Sequence, residues 1–193
     1  MRLAALVLAG GGARRLGGGD KPLRDVGGQP MLARVLAALA PEAAVIAISA
    51  NGDPARFAAF GLPVLPDEFP GQGPLAGVLA GLDWAAGQGA DILLTAPGDT
   101  PFLPSGLAAA LAPPPACTMS AGRVHHLVAL WPVAVRTRLR DSLSRAGRRD
   151  AGIFTAAIGM RAVAFSAVAG DPFVNVNTPA DLAAARQSAA ERR

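Results

Sequence analysis

Cysteine is all but missing from this chain: Cys117 stands alone among 193 residues. No intramolecular disulfide and no cysteine-based zinc site can form, and Cys117 reads as a small buried hydrophobe. Histidine is confined to the adjacent pair His125 and His126, without a carboxylate or cysteine at ligand spacing. Zinc is therefore not expected there, and the pair reads as lining a pocket or sitting on a loop. Long apolar runs are missing too. Hydrophobic residues make up 51% of the chain and the mean hydropathy is +0.35. Even so, no apolar stretch of ~18 residues escapes interruption by glycine, proline or charge, which argues against a membrane span.

Near the N-terminus Arg2 precedes an apolar run over residues 3–9. That run meets glycines and the pair Arg14 and Arg15 instead of a small-residue cleavage site, and the arginines follow it, the wrong side for a twin-arginine signal. The expectation is a buried strand in a cytoplasmic protein. Charge is modest at 17% of residues, with a net charge of +4 and a pI of about 10.9. Such a balance could suit anionic partners, phosphorylated metabolites or nucleic acid among them. No Lys/Arg run interleaved with aromatics is present, so nucleic-acid binding is not expected. Scarcity is informative here. Lys21 is the only lysine among 18 basic residues, and Asn51, Asn175 and Asn177 are the only asparagines. Where arginine serves for every other positive charge, a lone lysine suggests a place that needs the compact ammonium.

Residues 3–9, 44–49, 62–66 and 91–96 form apolar runs of strand length, while 31–39 and 75–86 carry apolar residues at helical spacing. Repeated strand, loop and helix predict a Rossmann-like α/β fold, a mainly parallel sheet with helices on both faces. Further on, Pro113, Pro114 and Pro115 read as a linker, 116–120 and 127–131 as strands, and 136–145 as a helix. The last helix is expected to start near Pro179. No repeat or clean boundary interrupts the chain, so one domain over residues 1–193 is expected.

Open α/β sheets bind ligands beyond the carboxyl ends of their strands, and four segments there carry candidate chemistry. The first, residues 8–21, is glycine-rich and holds Arg14, Arg15 and Lys21; its backbone amides could cradle phosphates. It is neither a Walker A loop, which ends in Gly-Lys-Ser/Thr, nor a dinucleotide fingerprint, whose third glycine is replaced by Arg15. The second is Asp99 in Pro-Gly-Asp-Thr-Pro, a carboxylate placed to hold Mg²⁺ against phosphate oxygens. Alone, it would read as an ordinary turn aspartate. Asp67, with Gly-Pro-Leu-Ala-Gly at 73–77, is the third. The fourth, 174–181, offers Asn175 and Asn177 as amide donors and acceptors, with Thr178 as a helix cap before Pro179.

The order of these motifs is similar to that of the molybdenum cofactor guanylyltransferase family, within the wider group of sugar-nucleotide and related nucleotidyltransferases. Leu-Ala-Gly-Gly at 8–11, then Arg15, Gly17 and Lys21, resembles the family's N-terminal signature. Asp67, the 73–77 and 97–101 segments and the terminal Val-Asn-Val-Asn-Thr-Pro follow in the family's order, so the resemblance spans nearly the whole chain. It implies a nucleotide-diphospho-sugar transferase type of fold, with a GTP-binding N-terminal half and a molybdopterin-binding C-terminal half. Leu8, Ala9 and Gly10 would border the guanine, with Lys21, Asn51, Asp67 and Asp99 also at the GTP site and Asp99 on Mg²⁺. Where the family has an Asn-Ala-Asn-like segment this chain reads Ser49-Ala50-Asn51, so either Ser49 or Asn51 meets the nucleotide. Its His-Pro pair reads His125-His126 here.

The implied reaction is attack by the terminal phosphate of molybdopterin on the α-phosphorus of GTP. Catalysis would come from positioning and charge neutralisation by Arg15, Lys21 and Asp99. The implied partners are GTP and molybdopterin, with molybdoenzyme-maturation proteins around a monomer or weak oligomer, and neither nucleic acid nor membrane. The alternatives are a transferase of the same fold using CTP or a sugar-phosphate acceptor, and a non-catalytic nucleotide-binding module, which could dispense with a metal-binding Asp99. Related cytidylyltransferases tend to read Leu-Ala-Ala-Gly where this chain has Leu8-Ala9-Gly10-Gly11, so Gly10 favours guanine.

Overall fold

Strand β1 (Leu3–Leu8) carries no charge, and its side chains point alternately into two cores. In the computed structural model, which describes residues 2–10, 18–144 and 150–191, Ala5 and Val7 meet helix α1 (Met31–Leu39) on one face. Ala4 and Leu6 meet helix α2 (Pro74–Gly87) on the other. β2 (Val45–Ser49) and β4 (Ile92–Pro97) flank β1 in parallel, and β3 (Val64–Leu65) pairs in parallel with β2. The second half of the chain adds β5 (Ala116–Ser120), β6 (Arg123–Pro132) and β7 (Arg161–Ala164). β6 runs antiparallel to both β4 and β5, and β7 is parallel to β5. The result is one mixed, mostly parallel sheet in the order β3-β2-β1-β4-β6-β5-β7. Helix α3 (Leu107–Leu111) covers the α1 face, while α4 (Arg136–Ser144) and α5 (Ala151–Ala157) cover the α2 face. Helix α6 (Pro179–Glu191) packs Ala185 and Ala189 against Val26, Met31 and Val176 in a third, smaller cluster.

Most predicted elements sit where their periodicity places them, and the departures have local causes. The strand expected over 62–66 shrinks to two residues because Pro63 and Pro66 bracket it and cannot donate to a ladder. The strand expected over 127–131 begins earlier, at Arg123, because Ala121 and Gly122 both take positive φ and close a two-residue hairpin between Ser120 and Arg123. His125 and His126 therefore lie on a strand and not on a loop. The linker expected at 113–115 joins α3 to β5. Helix α5 and strand β7 were not signalled by periodicity; α5 begins where the Asp150 side chain accepts from the Gly152 and Ile153 amides. Residue 145, the expected end of the fourth helix, lies outside the described residues. Cys117 is buried on β5, and burial pushes its thiol pKa up.

Helix α2 lies close enough to the sheet that glycine is required along its inner face. A Cβ on Gly81 would stand 2.4 Å from Leu6 Cδ2 and 3.1 Å from Leu93 Cδ2, and both leucines are fully buried. Gly81→Ala should therefore lower stability by about 1–2 kcal/mol, overpacking outweighing the gain in helix propensity. Gly87→Ala, on the exposed end of the same helix with nothing within 4 Å among the described residues, should be neutral or mildly stabilising. Denaturant melts of the two variants, with unchanged slope, check the contrast.

Candidate active site

Register creates the site. Leu8 pairs with both Ser49 and Pro97, and Ser49 pairs with Leu65, so four parallel strands end level. Gly10, Asn51, Asp67 and Asp99 each lie two residues past one of those level positions. A single edge of the sheet thus collects four of the candidate residues, in the crevice where β1 leaves for neighbours on opposite sides. They open onto a cavity of about 410 Å³ whose lining includes Leu8, Gly10, Lys21, Asn51, Asp67 and Asp99.

At the β2–β3 end, Asn51 Nδ2 donates to Asp67 Oδ2 at 2.7 Å while Asp67 N donates to Asn51 Oδ1 at 2.9 Å. The interlock leaves Asp67 Oδ1 as the oxygen turned to other partners. Ser49 also lines this cavity, buried at its floor, where its Oγ would lie 2.4 Å from a Cβ on Gly77. The cavity thus brings Ser49 and Asn51 together, the first buried and the second exposed. Ala9 is placed differently from its neighbours. Its side chain is packed in the core and its N–H donates to Ser49 O at 2.8 Å, so it holds Leu8 and Gly10 in place without lining the cavity. Arg14 and Arg15 lie outside the described residues.

At the β4 end the lone lysine is almost fully buried, on a short turn over Lys21–Leu23. Its Nζ forms an ion pair with Asp99 Oδ2 and donates to Asn177 Oδ1 at 2.5 Å. Two more bonds bind the same segments: Thr100 Oγ1 donates to Asn175 Oδ1 at 2.9 Å, and Val176 N donates to Asp99 O at 3.0 Å. With its oxygen engaged, Asn175 has amide hydrogens left to offer. Beyond it, Thr178 Oγ1 accepts from Asp181 N, while Asp181 Oδ2 accepts from the Asn177 and Thr178 amides. This reciprocal cap starts α6, and the amide bonds, that of Asn177 foremost, hold the Asp181 carboxyl below its usual range.

Sequence reasoning missed Asp20 and Arg56. Arg56 pairs with Asp20, donates to Asn51 O at 2.5 Å and to Asp53 O at 2.9 Å, and so braces the β2 end of the cavity against the segment before Lys21. Asp20 sits unremarked within the glycine-rich 8–21 segment and Arg56 belongs to no recognisable motif, and the contact spans 36 positions in the chain. His125 and His126 line a second cavity of about 180 Å³ that shares Pro97, Leu127 and Asn175 with the first. Burial lowers the His125 pKa, with Arg123 and His126 acting the same way and Asp171 opposing them.

Asp99 Oδ1 is buried and has no hydrogen-bond partner among the described residues. An orphaned carboxylate oxygen of this kind fits a cation. Among the described residues no three His, Cys, Asp or Glu side chains cluster as a metal cage. Asp99 is therefore the residue that would hold a divalent cation at this edge.

The mixed sheet, with a level row of strand ends leading into Gly10, Asn51, Asp67 and Asp99 and the buried Lys21 beside them, has the nucleotide-diphospho-sugar transferase fold of nucleotidyltransferases. The chain belongs to the MobA-like NTP transferase domain family, whose model matches residues 5–159. It is 55% identical over 184 residues to the molybdenum cofactor guanylyltransferase of Acidiphilium cryptum, covering 95% of this chain and 93% of that protein. Among solved structures it is similar in fold to a nucleotidyl transferase from Methanothermobacter thermautotrophicus, with a TM-score of 0.76 at 20% identity over 100% of this chain and 99% of that one. It is similar also to the molybdopterin-guanine dinucleotide biosynthesis protein A of Archaeoglobus fulgidus, with a TM-score of 0.72 at 20% identity over 97% and 99%.

The Lys21–Asp99 pair predicts a non-additive response to substitution. Lys21→Met or Asp99→Asn alone disrupts a pair whose side chains are 11% and 15% exposed, and each should destabilise. The double variant removes both charges and should recover part of the loss, a coupling of about 1–2 kcal/mol in a double-mutant cycle. Additive losses in chemical denaturation would show that the two charges do not support each other.

Proposed function

We propose that this chain transfers a guanylyl group from GTP to the terminal phosphate of molybdopterin, in the cytoplasm. A phosphate oxygen of the acceptor attacks the α-phosphorus of GTP, the bond from that phosphorus to the bridging oxygen breaks, and pyrophosphate leaves. The observation that carries this reading is the level row of Gly10, Asn51, Asp67 and Asp99 beside Lys21, in a chain 55% identical to a guanylyltransferase. Guanine presents N1–H and its 2-amino group as donors, and the free oxygen of Asp67 beside Asn51 suits them. Leu8 and Gly10 would border the base, held by the Ala9 backbone.

Lys21 would neutralise phosphate charge at the other end, helped by Arg15. Asp99 would hold Mg²⁺ through its unpartnered oxygen, and the ion would supply charge neutralisation on the triphosphate. The protein's own part is then positioning, which needs no nucleophilic side chain. The N-terminal half takes the nucleotide and the C-terminal half, with Asn175 and Asn177, takes the acceptor, all within one domain. The proposed assembly is a monomer or weak oligomer that hands its product to molybdoenzyme-maturation proteins. Among the described residues no helix is long and apolar enough to cross a membrane.

The direct test incubates the enzyme with each of the four nucleoside triphosphates, Mg²⁺ and molybdopterin, and weighs the product. GTP alone should give a dinucleotide; a CTP product would reassign the donor. Lys21→Arg should lower kcat/KM for GTP roughly tenfold or more, because the forked guanidinium does not fit the buried place that the ammonium shares with Asp99 and Asn177. Wild-type values would reduce the lone lysine to a compositional accident.

Gly10 tests the base end. Among the described residues an added Cβ there meets no atom within 4 Å, so Gly10→Ala should fold normally and intrude on the cavity. It should weaken GTP more than CTP, because a site built for particular hydrogen bonds discriminates sharply when they are displaced. Equal weakening of both nucleotides, measured by isothermal titration, would assign Gly10 to the turn alone.

A further inference from the structure

Three side chains that play no part in the proposed reaction meet beside the second cavity. Ser120 ends β5, His125 lies across the hairpin on β6, and Asp171 opens the segment that runs on to Asn175. Ser120 Oγ stands 2.6 Å from Asp171 Oδ1 and 2.7 Å from His125 Nε2. A hydroxyl has one hydrogen, and a carboxylate at neutral pH only accepts, so Ser120 donates to Asp171. His125 must then be the donor to Ser120, which fixes its hydrogen on Nε2. The chain of bonds runs one way, from imidazole to hydroxyl to carboxylate.

The carboxylate turns the backbone as well. Asp171 Oδ1 also accepts the Phe173 amide at 2.9 Å, and Phe173 is 1% exposed. Its ring lies 5.2 Å from that of His125 and meets Phe165 edge-on at 5.1 Å. Asp171 and Phe173 together therefore hold the chain inward just before Asn175, the residue that borders both cavities.

We infer that Ser120, His125 and Asp171 form a directed hydrogen-bonded anchor whose task is to position Asn175 at the wall between the two cavities. They are positioning residues for the acceptor side: Ser120 and Asp171 line neither of these two cavities, and His125 borders only the second. The kinetic part of this inference rests on the proposed guanylyl transfer; the anchor itself does not.

Two readouts separate these levels. In nitrogen-15 NMR of the whole protein, His125 should be the Nε2-protonated tautomer at neutral pH. Ser120→Ala, which removes one oxygen atom, should abolish that preference and shift the Asn175 side-chain amide signal. Kinetically, Ser120→Ala should raise KM for molybdopterin about fivefold while leaving KM for GTP within about twofold. Asp171→Asn serves as the second variant if Ser120→Ala fails to fold, and the same split is expected. A His125 protonated on Nδ1 in the wild type would overturn the anchor. So would an unmoved Asn175 signal, or equal rises in both KM values, since a merely structural role predicts the latter. If the wild type makes no product with molybdopterin, the proposed function falls, whereas the tautomer and the Asn175 signal still decide the anchor.

Discussion

The β4 end of the site depends on one long-range attachment, the docking of residues 175–177 onto the end of β4. Lys21 reaches Asn177 across 156 positions of sequence and Thr100 reaches Asn175 across 75. These bonds, with the amide of Val176 on the Asp99 carbonyl, bring an early turn, a central strand end and a late segment into one place. None of the three could hold its geometry alone. Lys21 needs two oxygen partners because an ammonium that has lost its water must be repaid nearly in full, and only the folded chain supplies both. The ion pair is therefore a poor source of net stability.

Glycine contributes the opposite kind of constraint, through absence of substance. Helix α2 can press onto β1 and β2 only because Gly77 and Gly81 carry no side chain where Ser49, Leu6 and Leu93 stand. The Gly-Pro-Leu-Ala-Gly segment thus serves packing as much as any ligand. Its second glycine lets the helix approach Ser49 and Asp67, and so sets the depth of the cavity floor. Arg56 supplies the lateral brace. It ties the carbonyl of Asn51 to Asp20, so the amide facing Asp67 is fixed from behind as well as from the front.

The sequence makes the first half of the fold easy to read, because strands buried on both faces appear as unbroken apolar runs and the helices between them keep a clean period. Residues 31–39 and 116–120 fall where expected. What escapes is whatever depends on partners distant in sequence. β7 is four residues long with an exposed arginine at its start, and only its pairing with β5 makes it a strand. The same holds at the site. Lys21, Asp67 and Asp99 stand out through rarity or motif, whereas Arg56 has no local signature, and Ala9 gives no hint that its side chain turns to the core. Residues 11–17, which include Arg15, lie outside the described structure; of the glycine-rich segment, Gly10 and Lys21 are seen at the cavity.

The even ending of the four parallel strands has a geometric consequence for what can bind. Neighbouring strands lie about 4.8 Å apart, so the row from Asp67, just beyond β3, to Asp99, just beyond β4, spans roughly 14 Å across three gaps. On the proposed reading the donor lies crosswise over this row, base at one end and phosphates at the other, and the edge acts as a ruler. A free base or a free pyrophosphate would each occupy only one end of it. Selection by length is thus built into the sheet itself, before any single side chain has discriminated one base from another.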